Sequence, residues 1–105
     1  MSLRSLDKKT LLDSVSAEVD GTPISAERDK GWTFVIQTTA EGTATIQIEA
    51  LISGVWFVIH SQDVSAEGSF MIRDDHGHYE KIRANISAYT SGTHSVYATG
   101  SVDSL

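Results

Sequence analysis

The chain has 105 residues, enough for one domain built on one hydrophobic core. Its formal net charge of −6 is the opposite of the basic footprint nucleic acid requires, and the absence of cysteine excludes disulfides, thiolate catalysis and zinc–thiolate sites. A hydrophobic content of 40% is too high for a disordered chain. No run reaches the ~18 apolar residues of a membrane-spanning helix, and the opening residues MSLRSLDKK lack the apolar stretch of a signal peptide.

Valine, isoleucine and threonine total 27 against 6 leucines. That excess of β-branched side chains favours sheet over helix. Residues 1–9 form a candidate arm: Arg4, Lys8 and Lys9 against Asp7 give it a side-chain charge of +2, and the body of residues 10–105 then carries −8. Leu3 and Leu6 dot the arm with apolar anchors. A helix from Ser5 to about Val15 is a competing reading there, because Leu6, Leu11, Leu12 and Val15 partly follow a helical stripe. Short strands are expected at residues 10–17 and 22–27. Pro23 lies in the turn-like stretch Asp20-Gly21-Thr22-Pro23, where a proline suits a turn or a strand's first residue.

The next run alternates Trp32, Phe34 and Ile36 with Thr33, Val35 and Gln37. Glu41-Gly42 reads as a turn. Residues 42–52 then carry the clearest strand signal, with Ala44, Ile46, Ile48, Ala50 and Ile52 on one face and Thr45, Gln47, Glu49 and Leu51 on the other. After Ser53-Gly54, the run Val55-Trp56-Phe57-Val58-Ile59-His60 is apolar on both faces, as in a strand buried on both sides or one whose outer face meets a partner. A short strand is expected at residues 68–72. Residues 79–89 alternate again, Ile82, Ala84, Ile86 and Ala88 against Lys81, Arg83, Asn85, Ser87 and Tyr89. Ser91-Gly92 reads as a tight turn into a returning strand at residues 93–99, making a hairpin. The total is about eight strands with turns every 8–12 residues. The expected fold is all-β: a two-sheet antiparallel β-sandwich, jelly-roll-like in its connections.

The densest polar cluster is Asp74-Asp75-His76-Gly77-His78, with carboxylates and imidazoles that suit a divalent metal. The plainer reading, a solvated loop between strands, is preferred on its Asp and Gly content, so no metal and no cofactor is expected. Nucleophilic catalysis needs a serine beside a histidine and an orienting carboxylate. Serine is plentiful, and His60, His76, His78 and His94 are present, but no Gly-x-Ser-x-Gly elbow occurs and no catalytic residue is assigned. Trp32, Trp56, Tyr79, Tyr89 and Tyr97 offer a sugar-stacking platform if they share a face. Trp32 is in phase with Phe34 and Ile36 and reads as core. Trp56 is out of phase with its neighbours, so its face is either buried as well or exposed for a partner. Arg83, beside Lys81 and Asn85, is either solvated or paired with a carboxylate of another subunit.

Several stretches carry a resemblance. These are Thr10-Leu11-Leu12-Asp13-Ser14-Val15, Gly21-Thr22-Pro23-Ile24, Gly31-Trp32-Thr33-Phe34-Val35-Ile36, Gly42-Thr43-Ala44-Thr45-Ile46-Gln47-Ile48-Glu49, Gly54-Val55-Trp56, and the long run from Tyr79-Glu80-Lys81-Ile82-Arg83 through Tyr89-Thr90-Ser91-Gly92-Thr93. From about Thr10 to Thr99 the chain resembles small β-sandwich structural proteins encoded by tailed bacteriophages. Members usually carry a Gly-Ser-x-Asp-Gly-like turn before the tryptophan step; here that stretch reads Ala50-Leu51-Ile52-Ser53-Gly54-Val55-Trp56, a departure.

The resemblance implies a non-enzymatic virion component, made in the host cytoplasm. The expected role is a capsid decoration (cement) protein on the outer capsid surface, bound to the major capsid protein and oligomeric, with a homotrimer favoured. Neither nucleic acid nor membrane is an expected partner. Expected partner contacts are Leu3, Arg4, Leu6, Lys8, Lys9, Trp56 and Arg83. A carbohydrate-binding module of a tail or fibre, with a glycan as ligand, and a tail or neck assembly protein are the alternatives.

Overall fold

The computed structural model describes residues 8–27, 31–74 and 79–101, excepting the side chains of residues 40, 41 and 101. Among the described residues there are seven strands: β1 (Lys8–Val15), β2 (Val19–Asp20), β3 (Ile24–Ser25), β4 (Gly31–Ile52), β5 (Val55–Val64), β6 (Gly68–Asp74) and β7 (Lys81–Ser101). All pairings are antiparallel. The fold is therefore all-β, one antiparallel sheet curled on itself.

Two long strands form its spine. β4 and β7 pair from Gly31↔Ser101 to Leu51↔Lys81. Near Gly31 the order across the sheet is β1–β7–β4–β6; near Leu51 it is β2 and β3, then β7–β4–β5. The halves share one core. Trp32, Phe34, Ile36, Val96 and Ala98 from the first pack with Ile46, Ile48, Ala50, Ile82, Ala84 and Ile86 from the second, closed by Leu11, Leu12, Ala26 and Val64. Of these, Trp32, Phe34, Ile36, Ile46, Ile48, Ala50, Ile82, Ala84 and Ile86 are inward residues that period-2 alternation marked in the sequence, whereas Ile52 and Ala88, expected with them, are exposed.

Three sequence expectations change. Glu41-Gly42 and Ser91-Gly92 do not reverse the chain: β4 and β7 run through both points, and residues 93–99 pair with β1 and β4 rather than folding back on residues 81–89. The predicted hairpin is one bent strand. The register breaks between Thr39 and Thr43, where four steps of β4 pass two of β7, and such a bulge bends and twists the pair. The helix from Ser5 to Val15 does not form where it can be followed, because residues 8–15 are strand. Lys8 and Lys9, placed in the arm by composition, belong to β1 and pair with Thr99 and Ala98. Leu3, Arg4 and Leu6 lie outside the described residues.

The bend depends on two glycines. A Cβ on Gly92 would run into the Gly42 Cα and stand 3.1 Å from the Gly42 nitrogen; one on Gly42 would meet Thr38 Cγ2 at 2.7 Å and His94 Cε1 at 2.9 Å. Gly92 also has φ +89°, a region L side chains rarely adopt. The fully buried His94 ties the bend, with Nε2 donating to the Ser91 carbonyl at 2.9 Å and Nδ1 accepting from the Thr38 hydroxyl at 3.0 Å. Tyr89 stands edge-on to His94 with ring centroids 6.0 Å apart, and its hydroxyl donates to the Gly92 carbonyl at 2.9 Å.

Further bulges reset which side chains face inward. Thr43↔Ser91 is followed by Ala44↔Tyr89, so Thr90 is extra on β7. Thr45↔Ala88 is followed by Ile46↔Ile86, so Ser87 is extra and Ala88 turns out to solvent. Ile48↔His60 is followed by Glu49↔Val58, so Ile59 is extra on β5. The β4–β5 connection is a two-residue turn in which Ser53 and Gly54 have φ 50° and 79°, the left-handed pair that matches strand twist.

The bend predicts a sharp contrast between glycines. Gly92→Ala combines left-handed strain with a backbone clash and lowers stability by about 3 kcal/mol or more. Gly54→Ala, at φ +79° with open space around its Cβ, costs about 1 kcal/mol. Urea unfolding followed by tryptophan fluorescence measures both.

Candidate functional site

The outward face of the β5–β4–β7 half carries the best-formed polar constellation. Register places Leu51 between Trp56 and Lys81, Glu49 between Val58 and Arg83, and Gln47 between Ser61 and Asn85. Cross-strand neighbours share a face and lie close enough to touch, and diagonal ones come within reach of long side chains.

Glu49 is the hub. Its Oε1 accepts from Arg83 Nε and from Asn85 Nδ2, each at 2.7 Å. The Arg83 guanidinium also lies over the Trp56 ring, 4.2 Å from the centroid, a cation–π contact. Asn85 is buried, and its Oδ1 accepts from the Gly21 nitrogen at 3.2 Å, a donor that also reaches the Ala84 carbonyl at 2.8 Å. One carboxylate thus neutralises Arg83, satisfies a buried amide and fixes Arg83 as a lid on Trp56. The arrangement is a rigid, charge-compensated patch, with an indole held half-buried beside the exposed apolar side chains of Val55, Phe57 and Val58.

A second cluster closes the rim between the two halves of the sheet. Asp74 Oδ2 accepts from His60 Nε2 at 3.0 Å and from the Tyr79 hydroxyl at 2.8 Å. The His60 ring lies 6.0 Å from that of Phe34, which stacks on Trp32 at 6.2 Å. Asp74 thereby links β5, β6 and the lead into β7. Burial of the Tyr79 phenol, with the bonded Asp74 carboxylate adding to it, pushes its pKa up to about 12.

Two sequence-flagged partner residues, Trp56 and Arg83, are in direct contact. The carboxylate that pairs Arg83 belongs to the same chain, so the pairing with another subunit entertained from sequence is not what holds it. Lys8 Nζ sits 4.4 Å from the Tyr97 ring centroid, on the outside of the other half-sheet. The five aromatic residues offered as a sugar platform are dispersed. Trp32 is in the core, Trp56 lies under Arg83, Tyr79 binds Asp74, Tyr89 braces the bend and Tyr97 lies under Lys8.

Of the Asp74–His78 cluster only Asp74 falls within the described residues. Among those residues no group of three or more His, Asp or Glu side chains is placed to hold a metal ion. Glu49 was not singled out from sequence. Its mid-strand position on the same polar face as Gln47 was visible, but its register with Arg83 was not.

A scan against protein-family models finds no match to this sequence, and a search of curated proteins finds none. Solved structures do share the fold. The SPBc2 prophage-derived protein YomS superposes with a TM-score of 0.70 at 11% identity, covering 94% of this chain and 96% of that one. The PBSX exported protein XepA gives 0.76 at 17% identity over 96% of this chain, which spans only 39% of XepA. A subunit of the Bacillus endospore appendages, described as disulfide-linked pili, gives 0.52 at 11% identity, with coverage of 96% and 86%. At these identities the likeness is one of fold.

The Glu49 hub makes a stability prediction. Glu49→Ala strands a buried amide donor and uncompensates Arg83, costing about 2–3 kcal/mol. Glu49→Gln keeps an acceptor and costs about half as much by the same reasoning. Urea unfolding checks both, and a change in Trp56 fluorescence reports that Arg83 has left the ring.

Proposed function

We propose that this chain is a non-enzymatic structural protein of a bacteriophage particle, and specifically a capsid decoration protein on the outer surface of the shell formed by the major capsid protein. The observation that carries this reading is the end-to-end correspondence with the prophage-derived YomS, which covers nearly the whole of both chains. The match to part of the exported XepA supports the same body recurring as a module of a longer protein. The two pairing orders, β1–β7–β4–β6 and β2/β3–β7–β4–β5, support a jelly-roll sandwich, as does the shortest molecular extent of 18 Å, which suits two sheets about 10 Å apart.

The mechanism is mechanical. A small rigid β-body contributes a modest contact, and many copies on one shell add those contacts multivalently. The −6 charge keeps copies soluble and apart until a complementary surface gathers them. Residues 1–7 serve as the anchor: Leu3 and Leu6 supply apolar contacts and Arg4 meets acidic groups of the capsid, while Lys8 and Lys9 carry positive charge into the start of β1. Trp56 and Arg83 form the body's second contact, and copies associate with one another on the shell.

The experiment is cosedimentation with purified phage heads that lack the protein. The full chain saturates them at a fixed ratio to the major capsid protein. A variant lacking residues 2–7 keeps the same circular dichroism and urea midpoint and stays in the supernatant. Binding to tails but not heads replaces decoration with a tail role, and undiminished binding of the shortened variant removes the anchor.

A further inference from the structure

Among the described residues, six large hydrophobic side chains are exposed, and four of them lie between Ile52 and Val58: Ile52 at 39%, Val55 at 52%, Phe57 at 49% and Val58 at 49%. They flank the tight Ser53-Gly54 turn and run into β5. Among the described strands β5 pairs only with β4, so its other side is a sheet edge. Because the run of residues 55–58 is apolar without a break, ordinary strand alternation puts apolar side chains on both faces of this edge. Phe57, opposite Ala50, is on the inward side, and Val58, opposite Glu49, is on the outward side.

The longer of the other described edges carry charge: β1 has Lys8, Lys9 and Asp13 and two register breaks, and β6 has Arg73 near its end; of the two-residue edges, β2 ends in Asp20 and β3 (Ile24–Ser25) is uncharged. Charges and bulges of this kind discourage edge-to-edge pairing. From Val55 to Gln62, β5 has no Asp, Glu, Lys, Arg or Pro. The nearest charged groups on its outward face, Glu49 and Arg83, neutralise each other at 2.7 Å.

We propose that this edge is a self-association seam, in which two copies of this chain pair their β5 strands antiparallel about a two-fold axis at Phe57. The occupant is a second copy because the segment is its own complement. Antiparallel pairing about Phe57 sets Trp56 opposite Val58 of the second copy and Val55 opposite its Ile59, apolar against apolar on both faces. A chain of net charge −6 repels its own copies over most of its surface, and this neutral stretch is where two copies approach without that penalty.

Four half-exposed side chains and one strand edge per copy bury on the order of 1,000 Å² in total, the weak end of specific interfaces, so pairing is in the micromolar range. An isologous seam closes with two copies, so it replaces the three-fold symmetry favoured from sequence. The inference deepens the assembly reading and rests on it only for its biological use.

Sedimentation velocity from about 1 to about 500 μM tests it. The wild type moves from monomer to dimer with rising concentration. Phe57→Lys and Val58→Lys remain monomeric at the top concentration with unchanged circular dichroism, and Met71→Lys, an exposed apolar position on β6, dimerises like the wild type. In this cysteine-free chain, Phe57→Cys forms a covalent dimer on mild oxidation and Met71→Cys does not. A wild type that stays monomeric, a trimer, or dimerisation that survives both lysine variants overturns the seam. No phage particle is needed, so failure here is separate from failure of the virion reading.

Discussion

The architecture depends on a close approach of two backbones. Where β4 and β7 cross the bend, Gly42 and Gly92 leave no room for a side chain on either strand. Without that contact, two paired strands of 22 and 21 residues would extend as a long ribbon with one apolar face open to water, and such a ribbon is not stable alone. Folded at the glycines, the ribbon turns its two inner faces toward each other and buries Phe34, Ile36, Ile46, Ile48, Ile82, Ile86 and Val96 in one core. His94 holds the fold closed by spending both ring nitrogens on the bend, and the Asp74 contacts to His60 and Tyr79 close the rim.

This explains which parts of the fold could be read in the sequence. Alternation identified most of the inward sets of β4 and the first half of β7, with Ile52 and Ala88 as the exceptions, because side-chain direction has period 2 wherever no bulge intervenes. Glycine's role at the bend was misjudged for an equally physical reason. Glu41-Gly42 and Ser91-Gly92 announce a backbone that needs freedom or proximity, and a turn and a bulged bend need the same residue. Only pairing distinguishes them, and pairing is long-range. Ser87, the bulge residue on β7, carries no local signature, so Ala88 was assigned an inward direction that the bulge reverses.

The candidate site divides in the same way. Trp56 stood out as a large aromatic out of phase with its neighbours, and Arg83 as a cation on a polar strand face. Neither signal contained the other. Their contact, and the Glu49 carboxylate beneath Arg83, come from a register spanning three strands. What that register builds is a neutral surface next to an uncharged edge on an otherwise acidic body. A protein meant to sit in many copies beside its neighbours needs solubility when free and a limited adhesive strip when gathered. The net charge of −6 suits the first, and the proposed β5 seam would supply the second. The fold is shared with YomS, and capsid decoration is the role proposed for this combination.

The most direct test is the number of copies of this chain in the purified virion, measured by quantitative mass spectrometry against the major capsid protein. The decoration account predicts hundreds of copies, in a fixed stoichiometry to the capsid protein. A dozen or fewer would assign the chain to a vertex, tail or fibre and contradict decoration, and absence from the particle would contradict the virion reading itself.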